Sequence, residues 1–140
     1  MNLIVSIATK SVTVLTRELA QKLIDQQGTL VSIPYVYTSI DDGAFSSSPW
    51  SARALWGVVI PESITSIGSE AFSGNKLRSV VIPDSVTTIG SKAFYGNKLT
   101  NAEIGDGVGS IGNHAFQGTQ QRKRKRLAQS HRFVRISYHT

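Results

Sequence analysis

Between residues 58 and 117 the apolar positions return at the same places in every successive stretch of 22 residues. Ile60, Ile82 and Ile104 are 22 apart, as are Ile67, Ile89 and Ile111, and Phe72, Phe94 and Phe116. Val58 to Ser79 reads VVIPESITSIGSEAFSGNKLRS, and Val80 to Asn101 reads VVIPDSVTTIGSKAFYGNKLTN. Only polar letters change freely between the two. A third copy, AEIGDGVGSIGNHAFQ, keeps the spacing without the proline. An earlier one, VSIPYVYTSIDDGAFS, has Ile33, Ile40 and Phe45 each 27 residues ahead of Ile60, Ile67 and Phe72, and its five extra residues fall within SSSPWSARALWG. Four copies thus span residues 31–117, with an insertion at 47–57. A fixed period of this size marks a repeat architecture.

Each copy follows L-x-x-V-x-I-P, then x-S-[IV]-x-x-I-G, then x-x-A-F-x-G-N. The alternation of Val80 and Ile82 predicts a short strand with one buried face. The following proline removes a backbone donor and ends it. Ile64 and Ile67, and Val86 and Ile89, point inward from a second extended arm. Gly68, Gly90 and Gly112 stand at predicted sharp turns of positive φ, with Asp41 in the same slot of the first copy. The Ala-Phe pair fills the interior from a short helical turn, so that Phe45, Phe72, Phe94 and Phe116 form a stacked ladder. Asn75 and Asn97 either hydrogen-bond the backbone of adjacent turns or stand exposed in them. One unit cannot bury these residues alone, but stacked units form a continuous core. The expected fold is a β-rich solenoid whose inward positions repeat because each unit packs on a near copy of itself.

A stack of this kind needs atypical ends. LIVSIA and SVTVL around Thr9 and Lys10 predict a hairpin. TRELAQKLIDQQG predicts a helix with Leu19, Ala20, Leu23 and Ile24 on one face, Thr16 as N-cap and Gly28 as its stop. Residues 1–30 are therefore read as an α/β N-terminal cap. At the other end, 118–140 is either a basic tail or a terminal rung. Val134 and Ile136 of RFVRIS would supply one more V-x-I strand, and an extension foreign to the repeat, as from a shifted reading frame, is a further reading.

Charge separates the same regions. The chain has 140 residues and a net charge of +6. Residues 1–117 hold eight Lys and Arg against all nine acids, so the body is about neutral. The remaining seven cations lie beyond Gly118, five of them in the run Arg122, Lys123, Arg124, Lys125 and Arg126. Such a run is either a solvated segment or a patch for nucleic acid or another anionic surface.

The pattern VVIPxSVTxIGxxAFxxNxL, with its proline, its glycine and its Ala-Phe pair, resembles the BspA-type leucine-rich repeats of many bacterial and protist proteins. The resemblance covers about residues 31–117. It implies a right-handed leucine-rich-repeat solenoid with a parallel sheet on one face. It also implies a binding or adhesion role, often at a cell surface, and no catalysis.

The residues offer little for chemistry. There is no Cys, hence no thiolate site or disulfide. Gly107-Val-Gly109-Ser-Ile-Gly112 matches G-x-G-x-x-G, but that motif needs a long helix behind it, and here the repeat register accounts for the run. His114 occupies the variable slot of Glu70 and Lys92, while His131 and His139 lie in the tail without ligand spacing. No enzyme, metal site or cofactor is expected. No apolar run reaches the ~18 residues of a membrane span. The N-terminus lacks a charged region before its apolar stretch, which gives a cytoplasmic expectation beside the surface location that the resemblance implies.

Candidate binding residues follow from strand alternation. Ser32, Val59, Val81 and Glu103 make one outward column, and Leu30, Gly57, Ser79 and Asn101 a second. Val59 and Val81 form either a contact strip or a mere expression of β propensity. Trp50, Arg53 and Trp56 in the insertion are residue types of binding hot spots. Alternatively, both Trp rings fold back over a gap left by the cap. Tyr37 aligns with the core residue Ile64, which leaves Tyr35 as the exposed ring. The expected function is protein binding by a rigid sheet face. The alternative is anionic-polymer binding, to nucleic acid or a membrane surface, through Arg122 to Arg126. Dimerisation by pairing at an exposed terminal edge is a further expectation.

Overall fold

Strand pairing follows the repeat period. The computed structural model describes residues 13–48, 50–118 and the strand 132–133. Residues 1–12, which hold most of the predicted hairpin, and Val134, Ile136 and Arg122 to Arg126 lie outside the described residues. In chain order the elements are β1 (Val14–Leu15), α1 (Arg17–Gln27), β2 (Leu30–Ser32), β3 (Ser39–Ile40), β4 (Gly57–Val59), β5 (Ser66–Ile67), β6 (Ser79–Ile82), β7 (Thr88–Ile89), β8 (Asn101–Ile104), β9 (Ser110–Ile111) and β10 (Arg132–Phe133).

Each repeat contributes two strands, and both sets pair in parallel. The L-x-x-V-x-I arms give β2–β4 and β6–β8, with Val31 opposite Val58, Val80 opposite Ala102 and Ile82 opposite Ile104. The second arms give a five-stranded ladder in the order β1-β3-β5-β7-β9, with Ile40, Ile67, Ile89 and Ile111 in register. The expected parallel pairing is present, in both arms rather than in one. Parallel ladders line two sides, and the longer one belongs to the second arm.

Between those sides lies a column of four phenyl rings. Phe45, Phe72, Phe94 and Phe116 stack with centroids 5.2, 5.1 and 5.3 Å apart and planes within 7°. That spacing falls inside the favourable range for aromatic pairs. Asn75 and Asn97 are buried beside the rings, and each bridges two layers. Asn97 Nδ2 donates to the Phe72 and Phe94 carbonyls, and its Oδ1 accepts from the Leu77 amide. Asn75 does the same for Phe45, Phe72 and Leu55.

The Ala-Phe segments are not helical. Each is a pair of linked turns, as in Ala71 N–H to Gly68 O and Ser73 N–H to Glu70 O. Glu70, Lys92 and His114 have φ of 57°, 57° and 60°. A left-handed residue there prevents a helical turn from propagating. Gly43 holds the corresponding slot of the first copy, at φ 66°.

Gly68, Gly90 and Gly112 are glycine for a different reason than the positive φ expected. None has such a φ. A Cβ on Gly90 would sit 2.5 Å from the Ser69 nitrogen and 2.7 Å from the Gly68 carbonyl carbon, and Gly68 and Gly112 meet the preceding layer equally closely. Asp41 can carry a side chain because the strand above it, β1, ends at Leu15, where the chain leaves for α1.

Helix α1 obeys its sequence signals. Thr16 Oγ1 accepts from the Leu19 amide at 3.3 Å, and Gly28, at φ 80°, donates to Ile24 O. Ala20, Leu23 and Ile24 are buried. At the opposite end β10 runs antiparallel to β8, with Arg132 opposite Ile104 and Phe133 opposite Glu103. One more rung would run parallel, so these two residues do not continue the repeat.

Candidate functional site

The first arms put an alternating pattern on a fixed frame. Val31 and Val80 are buried, whereas their neighbours Val59 and Val81 are 61% and 57% exposed. The residue that ends each strand, a proline in three copies and Gly105 in the fourth, is followed by an outward residue, and Tyr35, Glu62, Asp84 and Asp106 fill that slot in successive copies. Tyr35, Val59, Pro61, Glu62, Val81 and Asp84 together line a groove of about 380 Å³. Its floor is apolar, its far wall carries an exposed phenol, and two carboxylates stand along its rim. Asp84 Oδ1 also accepts from the Asp106 amide at 2.8 Å, which ties the rim to the next layer.

The other predicted residues disperse. Asn101 is exposed at the start of β8, opposite Ser79. Glu103 shares the column of Val81 but lies beside β10, whose Phe133 is its strand partner. The outward column therefore ends against the chain's own strand rather than at an open edge. This also removes the β8 edge as a free pairing site.

The insertion does not cover a gap with its indoles. Trp50 is 87% and Trp56 52% exposed. Leu55 and Ala54 are buried instead. Leu55 precedes Leu77 and Leu99 by whole periods and is the leucine of the motif itself, so the inserted chain ends before it. Its amide donates to Asn75 Oδ1 at 2.7 Å. Lys76 Nζ lies 5.3 Å from the Trp56 ring centroid. Arg53 is turned toward α1, where it bonds Gln21 Oε1 and pairs with Asp25 at 2.9 Å. Both partners are well exposed, so the pair adds little stability. Arg53 thus belongs to the loop–helix junction, Trp50 stands exposed in the loop, and of the predicted contact residues Tyr35, Val59 and Val81 meet in the groove, together with Ser32 of the same outward column.

The sequence places Glu62 and Asp84 directly after the prolines, but sequence reasoning did not read them as a recurring pair that lines a cleft. Their 22-residue spacing was the signal that they share one slot. It also missed a threonine ladder, in which Thr65 Oγ1 donates to Thr38 O and Thr87 Oγ1 to Thr65 O.

Gly105, Gly107 and Gly112 of the glycine run are explained by stacking, whereas Gly109 has room for a side chain. A Cβ on Gly107 would meet the Asp84 carbonyl oxygen at 2.0 Å, and the segment leads into linked turns rather than a helix. Among the described residues no His, Cys, Asp and Glu group could hold a metal ion. Among them, too, no helix is long and apolar enough to cross a membrane.

No curated protein and no solved structure matches the chain. The family model described as BspA type leucine rich repeat region matches six copies over residues 38–137. Leucine-rich repeats are generally non-catalytic protein-interaction modules, and those of the BspA type are often found in surface-associated proteins. The chain belongs to the BspA-type leucine-rich repeat family.

Proposed function

We propose that the chain is a short right-handed solenoid, capped by residues 1–30, that binds another protein on the outward side of its first arms and performs no chemistry. One observation carries this reading. Val59 and Val81 remain exposed on strands whose inward neighbours are locked in the stack, and Tyr35, in the turn after β2, lines the same groove. Association costs the ordering of whatever moves at the interface, and a surface already held by ladders and stacked rings avoids most of that cost. Exposed valines in a fixed row also give a partner area at little entropic expense.

The test is Val81→Arg in the full chain, against a partner isolated by crosslinking to the wild type. Arginine at 81 points outward, so the fold survives while affinity drops at least about tenfold, as expected for a charge placed in an apolar contact. Replacing Arg122, Lys123, Arg124, Lys125 and Arg126 by Gln leaves the affinity unchanged. The reading fails if Val81→Arg has no effect, or if the Gln variant abolishes a binding that weakens steeply with salt, the mark of phosphate recognition.

A further inference from the structure

We infer that the groove selects a cationic, extended segment of the partner, one in which Arg or Lys alternates with aliphatic residues. This rests on the proposed function and adds the chemistry of the ligand. Glu62 and Asp84 occupy the same slot in adjacent layers, and those layers are about as far apart as their rings, 5.1 Å. Like charges side by side on neighbouring strands are unfavourable. The repeat could have placed any polar residue there, and Asp106 continues the column. The Arg53 guanidinium is taken up by Asp25 and Gln21 of α1 rather than by this column. Glu62 and Asp84 are exposed, and no Lys or Arg among the described residues forms an ion pair with either.

The rest of the groove suits the same ligand. Val59, Val81 and the buried prolines give a floor for the methylene stem of a Lys or Arg, which buries its chain while its head stays polar. The Tyr35 ring, 70% exposed, offers a face to the charged head. Arg78 and Lys98 are exposed on the residues that lead into β6 and β8, at the end of the strands away from the prolines. A cation is thus repelled from one end of the sheet and attracted to the other, which fixes where the segment's charge comes to rest.

Fluorescence anisotropy with the full chain and labelled acetyl-Gly-Val-Arg-Val-Arg-Val-Gly-amide tests the assignment. Two control peptides replace Arg by Glu, or Val by Ser. The basic apolar peptide binds at least about tenfold more tightly than either control. The double variant Glu62→Gln/Asp84→Asn weakens it about fivefold or more, and Asp84→Asn keeps the oxygen that accepts from Asp106. Equal binding of the Glu peptide, still abolished by Val81→Arg, overturns the charge selection and leaves the sheet reading standing. Binding of the basic peptide that ignores Val81→Arg overturns both. Should the peptide bind only once Arg122 to Arg126 are replaced by Gln, the occupant is the chain's own basic segment, and the assignment to a partner falls. Failure of all three peptides to bind either form overturns it as well.

Discussion

Asn97→Ala would remove the one polar side chain that ties the layers of Phe72 and Phe94 together from inside. Asn97 is 2% exposed and makes three hydrogen bonds: from the Leu77 amide at 3.0 Å, and to the Phe72 and Phe94 carbonyls at 2.9 and 3.0 Å. Each is worth about 1 kcal/mol net, and the buried Leu77 N–H left without its acceptor adds about 1–2 more. The expected loss is about 3–5 kcal/mol, a large share of the roughly 5–15 kcal/mol that holds an ordinary domain together. Urea unfolding of the full chain measures it, with Asn113→Ala, at an exposed position, as the reference. A loss under about 1 kcal/mol, no larger than the reference, would refute the claim that these bonds bind the layers. Asn97→Asp sharpens the test. It keeps the acceptor for Leu77 but turns an oxygen toward two carbonyls in a buried site, which raises the folded pKa above the ~3.9 of the unfolded chain. The folded state then holds its proton more tightly. Stability is therefore highest below about pH 4 and falls as pH rises toward the folded pKa. A variant whose stability rises over that interval would contradict the geometry.

Gly90→Ala forces a methyl group into the backbone of Ser69 and Gly68, neither of which can retreat without parting the layers, so thermal unfolding should show a loss of about 2 kcal/mol or more. Gly109→Thr should do the opposite. The nearest atom to its Cβ is Thr87 O at 3.9 Å, and a threonine there extends the ladder of Thr38, Thr65 and Thr87, for a gain of about 0.5–1 kcal/mol from strand propensity and one hydrogen bond. Lys92→Gly releases the left-handed strain at φ 57° against the extra entropy of the unfolded glycine, so stability should hold or rise by up to about 1 kcal/mol. A loss of 1 kcal/mol there, typical of glycine in regular structure, would show that the slot is not strained.

What repeats was readable in the sequence, and what it repeats for was only half so. The phenylalanine column, the inward isoleucines and the helix with its Thr16 cap follow from spacing and capping rules that act within one chain segment. The role of Gly90 did not, because a conserved-looking turn glycine and a glycine pressed against the next layer write the same letter. The positive φ sits two residues later, at Lys92, where no glycine advertises it. Leu55 was hidden by its neighbours: an insertion rich in serine and tryptophan masked a motif leucine in perfect register. The groove was visible through Val59 and Val81, but its acidic rim depends on which side of each proline the next residue points.

Stacking also limits where function can reside. An inward residue is constrained twice, by its own layer and by the copies above and below, so variation there is costly. Outward residues answer to solvent alone, and differences between copies at those slots carry the information. From Val59 and Val81 the column passes to Glu103, the proline slot passes to Gly105, and the threonine ladder passes to Gly109, all in the copy that pairs with β10. Three independent departures in one layer are hard to ascribe to drift when the two preceding layers agree at all three slots. They mark the layer at which the apolar strip stops and the chain turns back on itself. The strip is thus bounded by Tyr35 at one end and Glu103 at the other, two to three layers long. That is the width of a single extended segment lying across the strands, rather than of a second globular face.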